Sequence, residues 1–207
     1  MIYTDIIQGT PEWHDIRRGK ITGSKTVRIV PGVKGKYLAS RKNYMAKLIC
    51  EILTGETAEE FISEEMQWGT DNEPLARSAY EAITGNFVDE VGFIDHDIIQ
   101  LFGSSPDGLI GEDGSIEIKC PNTATHIDTL INGKVKRDYI YQMQSLMMCG
   151  NRQWCDFISF DPRLSNNLQL SIKRFNRDEV MIAEITMEVE KFKSELSEML
   201  RKLKEIK

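Results

Sequence analysis

The sequence predicts an α/β domain with a central mixed β-sheet flanked by helices. Three observations carry this. Hydrophobic residues recur at helical spacing from Arg41 to Ile83 and again from Ile185 to Ile206. The period shifts to two between Phe87 and Lys119, and between Trp154 and Phe175. The chain has 207 residues, 41% of them hydrophobic, which suits one sizeable core. A single domain over 1–207 follows, with a basic, helical N-terminal region (about 13–55) and a long C-terminal helix (about 178–206).

Each element has a local reason. Thr22-Gly23-Ser24 reads as a helix start, with a short helix over Val27–Val30. Pro31 to Lys36 is a basic loop. Tyr44, Leu48 and Ile52 keep i, i+4 spacing in a helix that Gly55 ends. A second helix lies within Phe61–Ile83, with Pro74 in its early part or at a kink and Gly85 closing it. Extended segments cover Phe87–Asp97, Leu101–Ile110 and Ser115–Lys119, the last two split by the turn Gly111-Glu112-Asp113-Gly114. Asp138–Cys149 is helical, and Trp154–Asp161 and Leu168–Phe175 alternate as strands. The tail repeats at 4, 3, 4, 3 through Ile185, Val189, Phe192, Leu196, Met199, Leu203 and Ile206, a heptad seam for the domain's own core or for a partner.

Composition excludes several classes. No run of about 18 apolar residues exists to span a membrane. The N-terminus lacks the basic-then-apolar order of a signal peptide, so a cytoplasmic protein is expected. Cys50, Cys120, Cys149 and Cys155 have no metal-site spacing and read as reduced thiols. Net charge is −6, yet Ile16–Cys50 holds ten Lys or Arg and no acid, and Glu51–Glu65 holds six Glu and no base. The basic run is either a solvated surface or a phosphate-backbone contact, and composition leaves both open.

Chemistry concentrates in "SSPDGLIGEDGSIEIKC", Ser104–Cys120. Glu117 and Lys119 are two apart on a strand and share a face, while Ile116 and Ile118 face the opposite way. Asp107, ten residues before Glu117, is placed to meet it across the turn. Close carboxylates raise each other's pKa unless a cation lies between them. Oxygen ligands with few imidazoles favour Mg²⁺ or Mn²⁺. This is the P-D…(D/E)-x-K arrangement of metal-dependent nucleases, although Glu-x-Lys also occurs on ordinary solvated strands. Asp97 and Glu73 are further candidate ligands. Gln142 and Gln144 lie about 200° apart on a helix, so only one is expected to face the site.

Five ordered motifs extend the pattern: "EWHDIRRGKITGSK", "WGTDNEPLAR", "SSPDGLI", "IEIKCP" and "YQMQSLMMCGNRQWCDFISFDPR". Together they resemble the phage lambda-type exonuclease family, a YqaJ-like viral recombinase branch of the PD-(D/E)XK nucleases. The resemblance runs from Trp13 to Arg163 and is loose at Lys34–Ser40 and in the C-terminal helix. It implies a restriction-endonuclease-like core and a processive 5′-to-3′ exonuclease on double-stranded DNA ends. It further implies two Mg²⁺ (or Mn²⁺) ions per active site, a homotrimeric ring around DNA and a single-strand annealing partner. A phage or prophage protein in a bacterial cytoplasm is expected.

By motif, the resemblance makes Asp107, Glu117 and the backbone carbonyl of Ile118 metal ligands, with Asp97 and Glu73 completing a second position. Lys119 orients or activates the attacking water, and Gln144 supports it. Arg17, Ser24 and Ser105, with Lys34 beside them, match a pocket for the 5′-phosphate, and Met66 matches a wedge that parts the terminal base pair. A nuclease of other specificity and a non-catalytic DNA-binding module on the same fold are the alternatives.

Overall fold

A computed structural model describes residues 1–32, 34–58 and 63–206. Val33, Glu59, Glu60, Phe61 and Ile62 of the segments read above lie outside the described residues. The described chain runs β1 (Ile2–Tyr3), α1 (Pro11–Arg17), β2 (Ile21–Thr22), α2 (Thr26–Ile29), α3 (Ala39–Thr54), α4 (Glu64–Thr84), β3 (Phe93–Asp95), β4 (Phe102–Ser104), β5 (Gly108–Ile110), β6 (Gly114–Lys119), α5 (Thr123–Asn132), α6 (Arg137–Gly150), β7 (Trp154–Phe160), β8 (Leu170–Asn176) and α7 (Glu179–Lys204).

The expected single central sheet is two mixed four-stranded sheets, ordered β1-β3-β4-β2 and β5-β6-β7-β8. The extended run Leu101–Ile110 breaks at Ser105–Asp107, which puts β4 in one sheet and β5 in the other. Pro106 has no N–H to give to a ladder, so the strand parts there. The break places Asp107 at the seam between the sheets. In the second sheet β6 is internal, antiparallel to β5 and parallel to β7, and α5 and α6 form the crossover.

Both faces of β6 are covered. Ile116, Ile118, Ile158 and Phe160 pack with Ala76 and Tyr80 of α4 in one cluster. Cys155 and Phe157 join Met143, Leu146 and Met147 of α6 and the apolar stripe of α7 in the other. Helix α4 runs through Pro74, and Ser63 caps its start by accepting from the Met66 N–H. Helix α5 escaped the sequence reading although Asn122 caps it and Gly133 ends it in the left-handed region at φ 58°. The heptad seam of α7 divides: Ile185, Val189, Phe192 and Leu196 are buried, whereas Met199, Leu203 and Ile206 are exposed. Its first part therefore packs on its own domain.

A histidine organises the turn before β4. His96 Nδ1 accepts the main-chain N–H groups of Ile98 and Ile99 at 3.1 and 3.0 Å. The turn ends at Leu101, φ 61°, whose carbonyl takes the Ile21 N–H of β2 at 2.8 Å. Burial holds His96 below the ordinary histidine value; Asp97 and Glu190 pull it up, and Arg177 and Lys193 push it down. Stability from this ring is complete above the unfolded pKa of about 6.5 and is lost as pH falls toward the folded value. His96→Asn keeps an acceptor that does not titrate. Its melting temperature is expected to fall less than that of the wild type between pH 7.5 and 5 (about the range in which histidine titrates). Parallel melting curves would show this placement to be wrong.

Candidate active site

The site forms where β6, the Asp107 turn and α4 meet. Glu117 is fully buried and pairs with the Lys119 ammonium. Lys119 Nζ also donates to the Ile118 carbonyl at 3.0 Å and lies 3.9 Å from Asp107 Oδ2. Asp107 Oδ2 accepts the Ile118 N–H at 2.6 Å, which locks the turn onto β6. Gln8 Nε2 fixes the same turn from the N-terminal side by donating to the Pro106 carbonyl at 2.7 Å. Strand pairing sets Glu117 beside Phe157, on which the Tyr139 ring of α6 stacks, and Lys119 Nζ sits 5.4 Å from that ring.

Electrostatics follow from burial. Loss of water pushes the Glu117 carboxyl well above the carboxylate range, with Lys119 opposing and Asp107 adding to the rise. Burial works against the Lys119 ammonium too, but Glu117 and Asp107 outweigh it and hold the lysine above its ordinary value. Glu73, on α4, is pushed up to about 7 by burial and by Asp107, while Arg77 draws it down.

The donor set suits a hard divalent cation: three carboxylates and the Ile118 carbonyl, all oxygen. Among the described residues, neither buried Glu117 oxygen accepts a hydrogen bond beyond the ion pair with Lys119, and a cation would satisfy both. Among the same residues, no three Asp, Glu, His or Cys are already gathered into a cage. Lys119 is ion-paired with Glu117, and Arg77 with Glu73.

A cleft of about 1470 Å³ reaches this cluster at Asp107 and Glu73, while Glu117 and Lys119 lie outside its lining. Arg17, Ser24, Met66, Glu73 and Asp107 all line it. The Arg17 guanidinium lies 3.6 Å from the centre of the Trp13 ring. The Trp13 indole N–H is shared between the Gly92 carbonyl at 2.9 Å and Ser105 Oγ at 3.0 Å. Met66 is 51% exposed in the first turn of α4 and belongs to neither core cluster among the described residues.

Four sequence expectations change. Asp97 does not join the cluster. It lies in the hairpin turn before β4, is exposed and pairs with the Met1 amino group at 3.2 Å, whereas Asp107 follows β4. The two carboxylates therefore sit at opposite ends of that strand. Gln144 faces away from Lys119: its amide donates to the Asn176 carbonyl and accepts the Asp178 N–H, both at 2.9 Å. Gln142, three positions after Tyr139, shares the helix face that turns toward Lys119. Ser105 and Lys34 are not among the residues lining the cleft; Ser105 stands behind Trp13, and Lys34 is exposed on a separate turn. The basic run also divides between two faces. Arg17, Lys25 and Lys47 line the cleft, while Arg41 is bound to Glu195 at 2.6 Å and stacks on Tyr37.

Two mixed sheets carrying a Pro-Asp turn and a Glu-x-Lys strand make the PD-(D/E)XK nuclease fold. Residues 12–153 match the YqaJ-like viral recombinase domain, and the chain belongs to that family. An alkaline exonuclease from Laribacter hongkongensis is 50% identical, with a TM-score of 0.88 over 94% of this chain and 96% of that one. The same exonuclease in complex with dAMP matches at TM-score 0.87, with the same identity and coverage. A phage related exonuclease from Haemophilus somnus 129PT shares the fold at TM-score 0.71 and 16% identity, over 92% of this chain and 99% of that one. No curated protein sequence matches the chain.

Proposed function

We propose that the protein is a divalent-metal-dependent exonuclease that digests the 5′-ended strand of double-stranded DNA and leaves a 3′ single strand. The observation that carries this reading is the single cleft shared by Arg17, Ser24, Met66, Glu73 and Asp107. One end of it suits a terminal phosphate and the other a metal-assisted hydrolysis. Asp107, Glu117, Glu73 and the Ile118 carbonyl would hold the cations, which supply Lewis-acid activation of phosphate and water.

The chain's own residues do the rest. Lys119 is the cation at the reacting phosphodiester, where it steadies developing charge and orients water. Arg17, held flat by Trp13, forks onto the 5′-phosphate, and Ser24 adds a hydroxyl. Ser105 accepts the Trp13 N–H and so helps fix the ring on which Arg17 rests. Met66 offers an apolar edge at the terminal base pair. A phosphate pocket beside the cutting centre makes direction a property of binding. A homotrimeric ring, a single-strand annealing partner and a role in phage-type recombination belong to the same reading, and what supports them is the family.

Strand-resolved digestion of an end-labelled duplex, with and without a 5′-phosphate, tests the proposal. Loss of label from the 5′-phosphorylated strand is expected in Mg²⁺, with none in chelator. Cutting of covalently closed circles would overturn it in favour of an endonuclease.

A further inference from the structure

Glu73 stands at a weak point of α4. Pro74 follows it, and proline supplies no N–H to the carbonyl one turn back, so one backbone bond of the helix is missing next to this carboxylate. Nor does Glu73 share a strand with Glu117 or a turn with Asp107. Something must fix it relative to them.

Arg77 makes that connection. One helical turn after Glu73, its Nη2 donates to Glu73 Oε1 at 2.8 Å. Its Nε and Nη2 both reach the main-chain carbonyl of Asp107, each at 3.3 Å. Its Nη1 pairs with Glu90 at 2.9 Å, and the side chain is only 12% exposed. Glu90 is 68% exposed, so that arm anchors the guanidinium without adding a buried charge. The rigid fork thus spans two elements that meet at the site in one fixed geometry, whereas an ammonium on a flexible stem would hold the two partners without fixing their directions.

We infer that Arg77 is a positioning residue of this centre, setting the Glu73 carboxylate and the Asp107 turn in one frame so that both approach a divalent cation from fixed directions. The inference rests on the metal-dependent reading above. Groups that orient ligands in this way typically change metal affinity by about 10–100-fold when replaced.

The decisive variant is Arg77→Lys, because it keeps the charge and removes the fork. Mn²⁺ titration of the DNA-free protein, followed by electron paramagnetic resonance, is expected to show affinity weakened about tenfold. The Mg²⁺ concentration for half-maximal digestion should rise by a similar factor. Circular dichroism and melting temperature report folding separately. Should Arg77→Lys fail to fold, Arg77→Gln carries the same reading. Its lost positive charge favours cation binding, so weaker Mn²⁺ binding there points to geometry alone. Unchanged Mn²⁺ affinity in a folded variant would overturn the inference and leave the metal reading standing. A wild-type protein that binds no Mn²⁺ and digests DNA in chelator would overturn both.

Discussion

Replacing Lys119 by alanine is expected to lower the rate of strand digestion about 10³-fold, within the range for a group that moves or steadies a proton in the transition state. Lys119 is the cation paired with buried Glu117, and its ammonium also lies 3.9 Å from Asp107. The fold should survive. Without Lys119 the opposing charge is gone and burial favours uptake of a proton by the Glu117 carboxyl, so no unpaired charge is left buried. Binding of 5′-phosphorylated ends in Ca²⁺ should therefore persist while digestion in Mg²⁺ collapses. Digestion by the variant within about tenfold of the wild type would remove Lys119 from the chemistry.

Arg17→Ala should act on a different quantity. The rate advantage of 5′-phosphorylated over 5′-hydroxyl ends is expected to fall by about 10–100-fold, the worth of a charge-assisted pair of hydrogen bonds. The Arg17 guanidinium rests 3.6 Å from the centre of the Trp13 ring, in the cleft that Asp107 and Glu73 also line. Arg17→Lys keeps charge but not the planar fork, and should fall between wild type and alanine. An end preference left intact in Arg17→Ala would mean that the phosphate is read elsewhere. The two substitutions thus separate recognition of the end from hydrolysis.

Much of this site could be read along the chain because its residues lie close in sequence or obey a period. Glu117 and Lys119 share a face because strands have a period of two, and Asp107 reaches them because one short hairpin intervenes. Where long-range geometry decides, the sequence was silent. Asp97 looked like a ligand by its spacing, but a turn governed by His96 and the left-handed Leu101 carries it to the far end of β4. Gln142 and Gln144 could not be told apart until Tyr139 fixed the phase of α6 against Lys119. Arg77 was visible within "WGTDNEPLAR", yet its reach to the Asp107 carbonyl depends on how α4 crosses the second sheet. The division into two sheets follows from Pro106, whose missing N–H was legible but whose effect on sheet membership was not.

The four cysteines have a practical consequence. Cys120, Cys149 and Cys155 are buried, and burial raises all three thiols, Cys120 to about 12 with Glu73 adding to the rise. They hold almost no thiolate at neutral pH and are closed to reagents. Cys50 alone is exposed, beside the groove between α3 and α7 rather than in the Arg17 cleft. A maleimide dye added to the unmodified protein should therefore attach at one known point, away from the cutting centre, and provide a fluorescent reporter without a single engineered residue.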